Sequence, residues 1–111
     1  MAVPYSTNYD TVPFSDVTAN MALATGTALS FTVPGTSASR YSVRFSYTQN
    51  SNVFVGYNIT ATSPGAGTIA SQNGIEFRPF EQRYAKGGDV LSFITPDASA
   101  YVGISLRMIP N

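Results

Sequence analysis

The chain has 111 residues and a formal net charge of +0, from six basic and six acidic side chains. That length supports one domain, and the neutral balance excludes the long-range attraction needed by a nucleic-acid backbone or an anionic membrane. There is no cysteine and no histidine, which excludes a disulfide framework, thiolate chemistry, Ser-His-Asp or Cys-His catalysis and the usual zinc ligand sets.

Only 11% of the residues are charged, against a usual share of about 25%, while 43% are hydrophobic. The wet surface must therefore be made of Ser, Thr, Asn and Gln. Such a surface suits either a β-rich protein with polar outer faces or a chain that lies flat on partner proteins. No apolar run approaches the ~20 residues of a membrane-spanning helix. The first residues, Met1-Ala-Val-Pro-Tyr5, lack the basic region and apolar core of a signal peptide. The product is expected to stay where it is made or to join an assembly there.

Residues 1–20 carry Tyr5, Tyr9 and Phe14 among prolines, two aspartates and small polar residues, without a period. They are read as an extended arm, with the folded domain over residues 21–111. Aromatic side chains anchor interfaces, so the arm is expected to pack on its own domain, a sister copy or a partner. The alternative is a frayed end.

Leu29, Phe31 and Val33 alternate with polar residues and predict a half-buried strand that ends at Pro34-Gly35. The strongest signal follows. Tyr41, Val43, Phe45 and Tyr47 alternate with Ser42, Arg44, Ser46 and Thr48, and Val53, Val55, Tyr57 and Ile59 continue the pattern. Between them lies Asn50-Ser-Asn52. The simplest reading is a hairpin with a three-residue loop that pairs Tyr47 with Val55 and Phe45 with Tyr57, and with Asn52 left-handed. Ser63 to Gly67 reads as a loop, residues 68–70 as a short edge strand, and Gln72-Asn-Gly74 as a turn. Ile75 and Phe77 start a strand that Pro79 ends.

Lys86-Gly-Gly-Asp89 predicts a tight turn into Val90–Ile94, which is apolar at both parities and so is expected to be buried on both sides. After a Thr95-Pro-Asp turn, Val102, Ile104, Leu106 and Met108 mark the inner face of the last strand. The expected core is Tyr41, Val43, Phe45, Val55, Tyr57, Val90, Ile104 and Leu106. Seven or so short strands without a helical period predict an all-β fold, a small β-sandwich of jelly-roll type.

The chemistry on offer is sparse. Glu76 and Glu81 flank one strand end and form the one candidate acid pair. The plainer reading makes each a surface charge beside Arg78 or Arg83. Asp89 and Asp97 sit in turns, where aspartate caps the backbone. No cluster has calcium-loop spacing. Asn58-Ile-Thr60 matches a glycosylation acceptor but reads as strand sequence. Tyr41, Tyr47 and Tyr57 fit a sugar platform less well than they fit a core. The sequence therefore predicts no enzyme, no cofactor and no metal. Arg40, Arg44, Arg78 and Arg107 are candidates for docking to a carboxylate-bearing surface, because the guanidinium pairs with carboxylates bidentately. The alternative is ordinary surface charge.

Tyr84 to Ile94, a Pro-Asp turn and Ala100 to Leu106 resemble the closing hairpin of small β-sandwich proteins in tailed-phage virions. They are similar, too, to trimeric jelly rolls of the tumour-necrosis-factor type. In length, lack of cysteine and polar surface, the whole chain resembles the capsid decoration, cement or staple proteins of epsilon15-like short-tailed bacteriophages. The resemblance implies a virion structural protein made in the bacterial host cytoplasm and placed on the outer surface of the capsid. It implies the major capsid protein as partner, and self-association as a homodimer in preference to a trimer. The competing expectations are a receptor- or carbohydrate-binding module of a tail fibre or baseplate, and a small glycosidase.

Overall fold

The computed structural model describes residues 14–64 and 74–109. Tyr5, Tyr9 and the predicted strand at 68–70 lie outside the described residues. Eight strands are present: β1 (Val17–Ala24), β2 (Leu29–Thr32), β3 (Arg40–Tyr47), β4 (Phe54–Tyr57), β5 (Ile75–Phe77), β6 (Arg83–Lys86), β7 (Val90–Ile94) and β8 (Ser99–Met108). They form two antiparallel four-stranded sheets, ordered β1-β8-β3-β6 and β2-β7-β4-β5. The described part is an all-β sandwich, and its strand order is that of an eight-stranded jelly roll.

Each sheet turns its alternate residues inward. Val43 on β3 lies opposite Leu106 on β8, and Phe45 lies opposite Ile104. From the other sheet come Val55, Leu91 and Phe93. Phe93, Val102 and Leu106 have no exposed surface, and Phe45 meets the Phe93 ring edge-on at 5.9 Å. Burying one such side chain contributes roughly 1.5–3 kcal/mol.

The structure corrects the central hairpin. β3 pairs with β6 and β8, and β4 pairs with β5 and β7, so the two runs lie in opposite sheets. The connection is an arch that crosses the core. Both arrangements bury the same parity of residues, which is why alternation did not separate them. The left-handed residue of the arch is Asn50, at φ 61°, and not Asn52. The arch is fastened from outside. Arg78 donates to Ser51 Oγ at 3.1 Å, and Asn52 N–H donates to Asp97 Oδ2 at 2.8 Å. In the same way β7 and β8 do not form a closing hairpin. Their turn also crosses between the sheets.

Three further expectations change. The arm boundary at residue 20 falls inside β1, which pairs with β8 from Val17↔Leu106 onward. β6 has only Ala85 buried, so Arg83-Tyr-Ala-Lys86 carries no apolar stripe to announce a strand. Of the expected core, Tyr57 is 40% exposed, Val90 and Phe45 are half-buried, and Met108 on the expected inner face is exposed. Tyr57 and Val90 lie at strand ends, and Met108 closes β8.

β7 is buried on both sides, as its composition predicts. Asn58, at φ 56°, ends β4 and sends the chain back over the outer face of that sheet. Ala61 N–H donates to Ser92 Oγ at 2.9 Å there. Gly56 permits the approach, because a Cβ at that position would meet Ile59 O at 2.6 Å.

Candidate functional site

The register of the β1-β8-β3-β6 sheet brings together residues that the sequence keeps apart. On its outer face Ser42 of β3 lies opposite Arg107 of β8 on one side and Tyr84 of β6 on the other. Arg40 and Arg44 stand two residues either side of Ser42. Strand geometry puts their Cα atoms about 13 Å apart, with Arg107 about 8 Å from each. Three guanidinium groups thus surround Ser42, which is only 8% exposed beneath them.

None of these three arginines makes an ion pair or a side-chain hydrogen bond among the described residues. The described carboxylates are engaged elsewhere. Asp16 accepts from Met108 N–H at 2.6 Å. Glu76 and Glu81 approach Arg83 Nη2 at 2.6 and 3.9 Å. Asp97 holds Asn52, and these hydrogen bonds lower its pKa. Asp89 is buried and accepts from Tyr57 Oη at 2.6 Å, Asn58 Nδ2 at 3.3 Å and Lys86 N–H at 2.9 Å. Desolvation pushes the Asp89 carboxyl up, but those hydrogen bonds and the Lys86 charge outweigh it and lower its pKa. The same bond to Asp89, with desolvation, pushes the Tyr57 phenol up to about 12.

Arg78 does not join the face. It holds φ 44°, sits 4.9 Å above the Tyr47 ring and donates to the 48–51 loop. Its guanidinium closes the chain's own arch. Phe14 is 98% exposed just before β1.

A second feature was not legible in the sequence. Where β5 and β6 end their sheets, a cleft of about 260 Å³ opens between the layers. Val43, Phe45, Val55, Ala85 and Leu91 line its depth, and Tyr57, Glu76, Arg83 and Tyr84 line its mouth. The Arg83–Glu76 pair spans the mouth from β6 to β5. Arg83 Nε is buried and has no hydrogen-bond partner among the described residues. Phe77, Phe80 and Tyr84 stand exposed on the two strands and their connection. The sequence signal was faint: a single buried alanine in a strand otherwise made of Arg83, Tyr84 and Lys86.

The two glutamates both approach Arg83, as the plainer reading of them had it. No group of three His, Cys, Asp or Glu side chains suited to a metal occurs among the described residues. Among the described residues no helix is long and apolar enough to cross a membrane. Comparison with protein-family models, curated proteins and solved structures gives no match.

Proposed function

We propose that this chain is a non-catalytic structural protein of a virion, a decoration protein that docks on the outside of a bacteriophage shell and clamps neighbouring major capsid subunits. The observation that carries this reading is the sorting of charge. The described acids are bound into the fold, while Arg40, Arg44 and Arg107 share one sheet face without a counterion among the described residues. Clustered guanidinium groups seek bidentate carboxylates, which a protein surface presents. A neutral chain with three cations unpaired among the described residues is poorly equipped for a nucleic-acid polyanion. Jelly rolls serve in viral shells and in lectins, so the fold is compatible with this reading and does not select it. An interface of about 1,600 Å² in total suffices for stable docking. Attachment as a homodimer strengthens it through effective concentration.

The test uses purified shells that lack the protein. Wild type and the Arg40→Glu/Arg44→Glu variant are added, and bound copies are counted after sedimentation. Saturable wild-type binding that the variant loses supports the reading; equal binding of both overturns it. A receptor- or sugar-binding role has one observation in its favour, the exposure of Phe80 at 78% in the β5–β6 connection. Binding to a glycan panel that Phe80→Ala abolishes would put that role in place of the first.

A further inference from the structure

The cleft between β5 and β6 lies outside the arginine triangle. We propose that it is an acceptor groove for an extended segment of a partner protein, which lies along the free edge of β6 and sets one bulky apolar side chain between the sheets.

The edge itself comes first. Gly87 N–H donates to Ser39 O across the β3–β6 pair. By antiparallel alternation, Ala85 and Arg83 then turn their main-chain groups toward β3, and Tyr84 and Lys86 turn theirs away. At Lys86 those groups are occupied, because its N–H donates to Asp89 Oδ2 and its carbonyl accepts from Asp89 N–H at 3.0 Å. At Tyr84 the sheet supplies no partner. An incoming strand finds one open pair of hydrogen bonds there, which is the geometry of strand addition.

The cavity selects the side chain. Ala85 is the buried inward residue of β6, and its single methyl leaves the space above Val43, Val55 and Leu91 unfilled. That volume holds one Leu- or Phe-sized group. The floor offers no donor or acceptor, so the hydroxyls of a sugar would enter without partners. The buried Arg83 Nε–H beside it lacks an acceptor among the described residues, and a main-chain carbonyl of the docked segment supplies one. Tyr57 and Tyr84 stand exposed at the mouth, as aromatic anchors of an interface do. A second copy fits less well. Paired edge to edge, its own β6 would bring only an alanine and an already bridged arginine to the inward positions.

To test this, the full chain is panned against a display library of random linear dodecapeptides. Selected peptides are synthesised and titrated by fluorescence polarisation. Three variants with wild-type melting temperatures are compared: Ala85→Leu, which fills the cleft, Arg83→Met, which removes the donor, and Arg40→Glu/Arg44→Glu, which leaves the cleft untouched. Peptides with a bulky apolar residue among alternating polar ones, bound at least tenfold more weakly by Ala85→Leu and also weakened by Arg83→Met, are expected. The arginine pair variant should bind them unchanged. Should Ala85→Leu not fold, Arg83→Met alone carries the test. Failure to select any peptide, or equal binding by wild type and both cleft variants, overturns the proposal. So does wild-type self-association, or sugar binding on a glycan panel, that Ala85→Leu abolishes, because the occupant would then be a second copy or a saccharide.

Discussion

Asp89 shows how one turn residue serves three elements. It caps the β6–β7 turn at Lys86, receives the Tyr57 hydroxyl from the end of β4, and fixes Asn58 where the chain turns back. Its pKa is lowered in the fold, so the native state holds a carboxylate that the unfolded chain protonates more readily. The stability it contributes is complete above its ordinary value of 3.8 and is lost as pH falls through the lower folded value. Tyr57 acts at the other end. Its phenol is raised from 10.0 to about 12, so stability should fall as pH rises from 10 toward 12, where the unfolded chain ionises first. Denaturant titrations across pH should show both limbs. Asp89→Asn should shrink the acid limb, to which Asp97 also contributes, and Tyr57→Phe the alkaline one, to which the buried Tyr47 phenol also contributes; unchanged limbs would show that these contacts do not form in solution.

Core residues divide by burial. Phe93→Ala removes a fully buried ring and should cost about 3–5 kcal/mol in chemical denaturation. Phe45 is half-buried, so Phe45→Ala should cost clearly less. Equal losses would mean that Phe45 is sealed by something further.

Among the elements, β4 depends most on what packs over it. Its outer face accepts the returning chain at Gly56, where a Cβ would press on Ile59 O and not on a yielding side chain. Gly56→Ala should destabilise by about 1–3 kcal/mol through overpacking. Amide exchange should rise at Ala61, which donates to Ser92, while β1 and β8 keep their protection. Exchange that rises evenly across both sheets would argue against a local effect. β6 is the opposite case, a short strand fastened at one end by the Asp89 turn and bridged to β5 by Arg83–Glu76. That bridge is exposed and adds little stability on its own.

For the whole molecule, the pairing of β1 with β8 brings the first and last described strands together across almost the full chain. Such long-range pairing predicts slow folding for this size. The same pairing, with β3 beside β8, assembles the arginine triangle from residues 40, 44 and 107. If the proposed decoration role holds, attachment to a shell should be electrostatic at the surface. Wild-type affinity should weaken as salt rises and the screening length shrinks from about 10 Å at 0.1 M to about 3 Å at 1 M. Arg40→Glu/Arg44→Glu should bind roughly tenfold or more weakly at low salt, and should approach wild type at high salt. Salt-independent binding by both proteins would place the contact elsewhere.

Period-two alternation determined β2, β3, β4 and β8 and which side of each is wet, so Tyr41, Val43, Ile104 and Leu106 were identified as core from the sequence, whereas the arm boundary at residue 20 cut through β1 and β6 carries no such stripe. Local chemistry determined the Lys86–Asp89 turn and the capping roles of Asp89 and Asp97, since these need only a few neighbouring residues or a short side chain beside a free N–H. Alternation records which face of a strand is buried and not which strand lies beside it. Hairpin partner and opposite layer both cover the same residues, and so the arch at Asn50, the crossing after Thr95 and the edge position of β6 were decided by tertiary packing alone. The candidate surfaces belong to that second group. The arginine face needs the β3–β8 register, and the cleft needs two sheets that end in β5 and β6 on the same side, with an alanine between them.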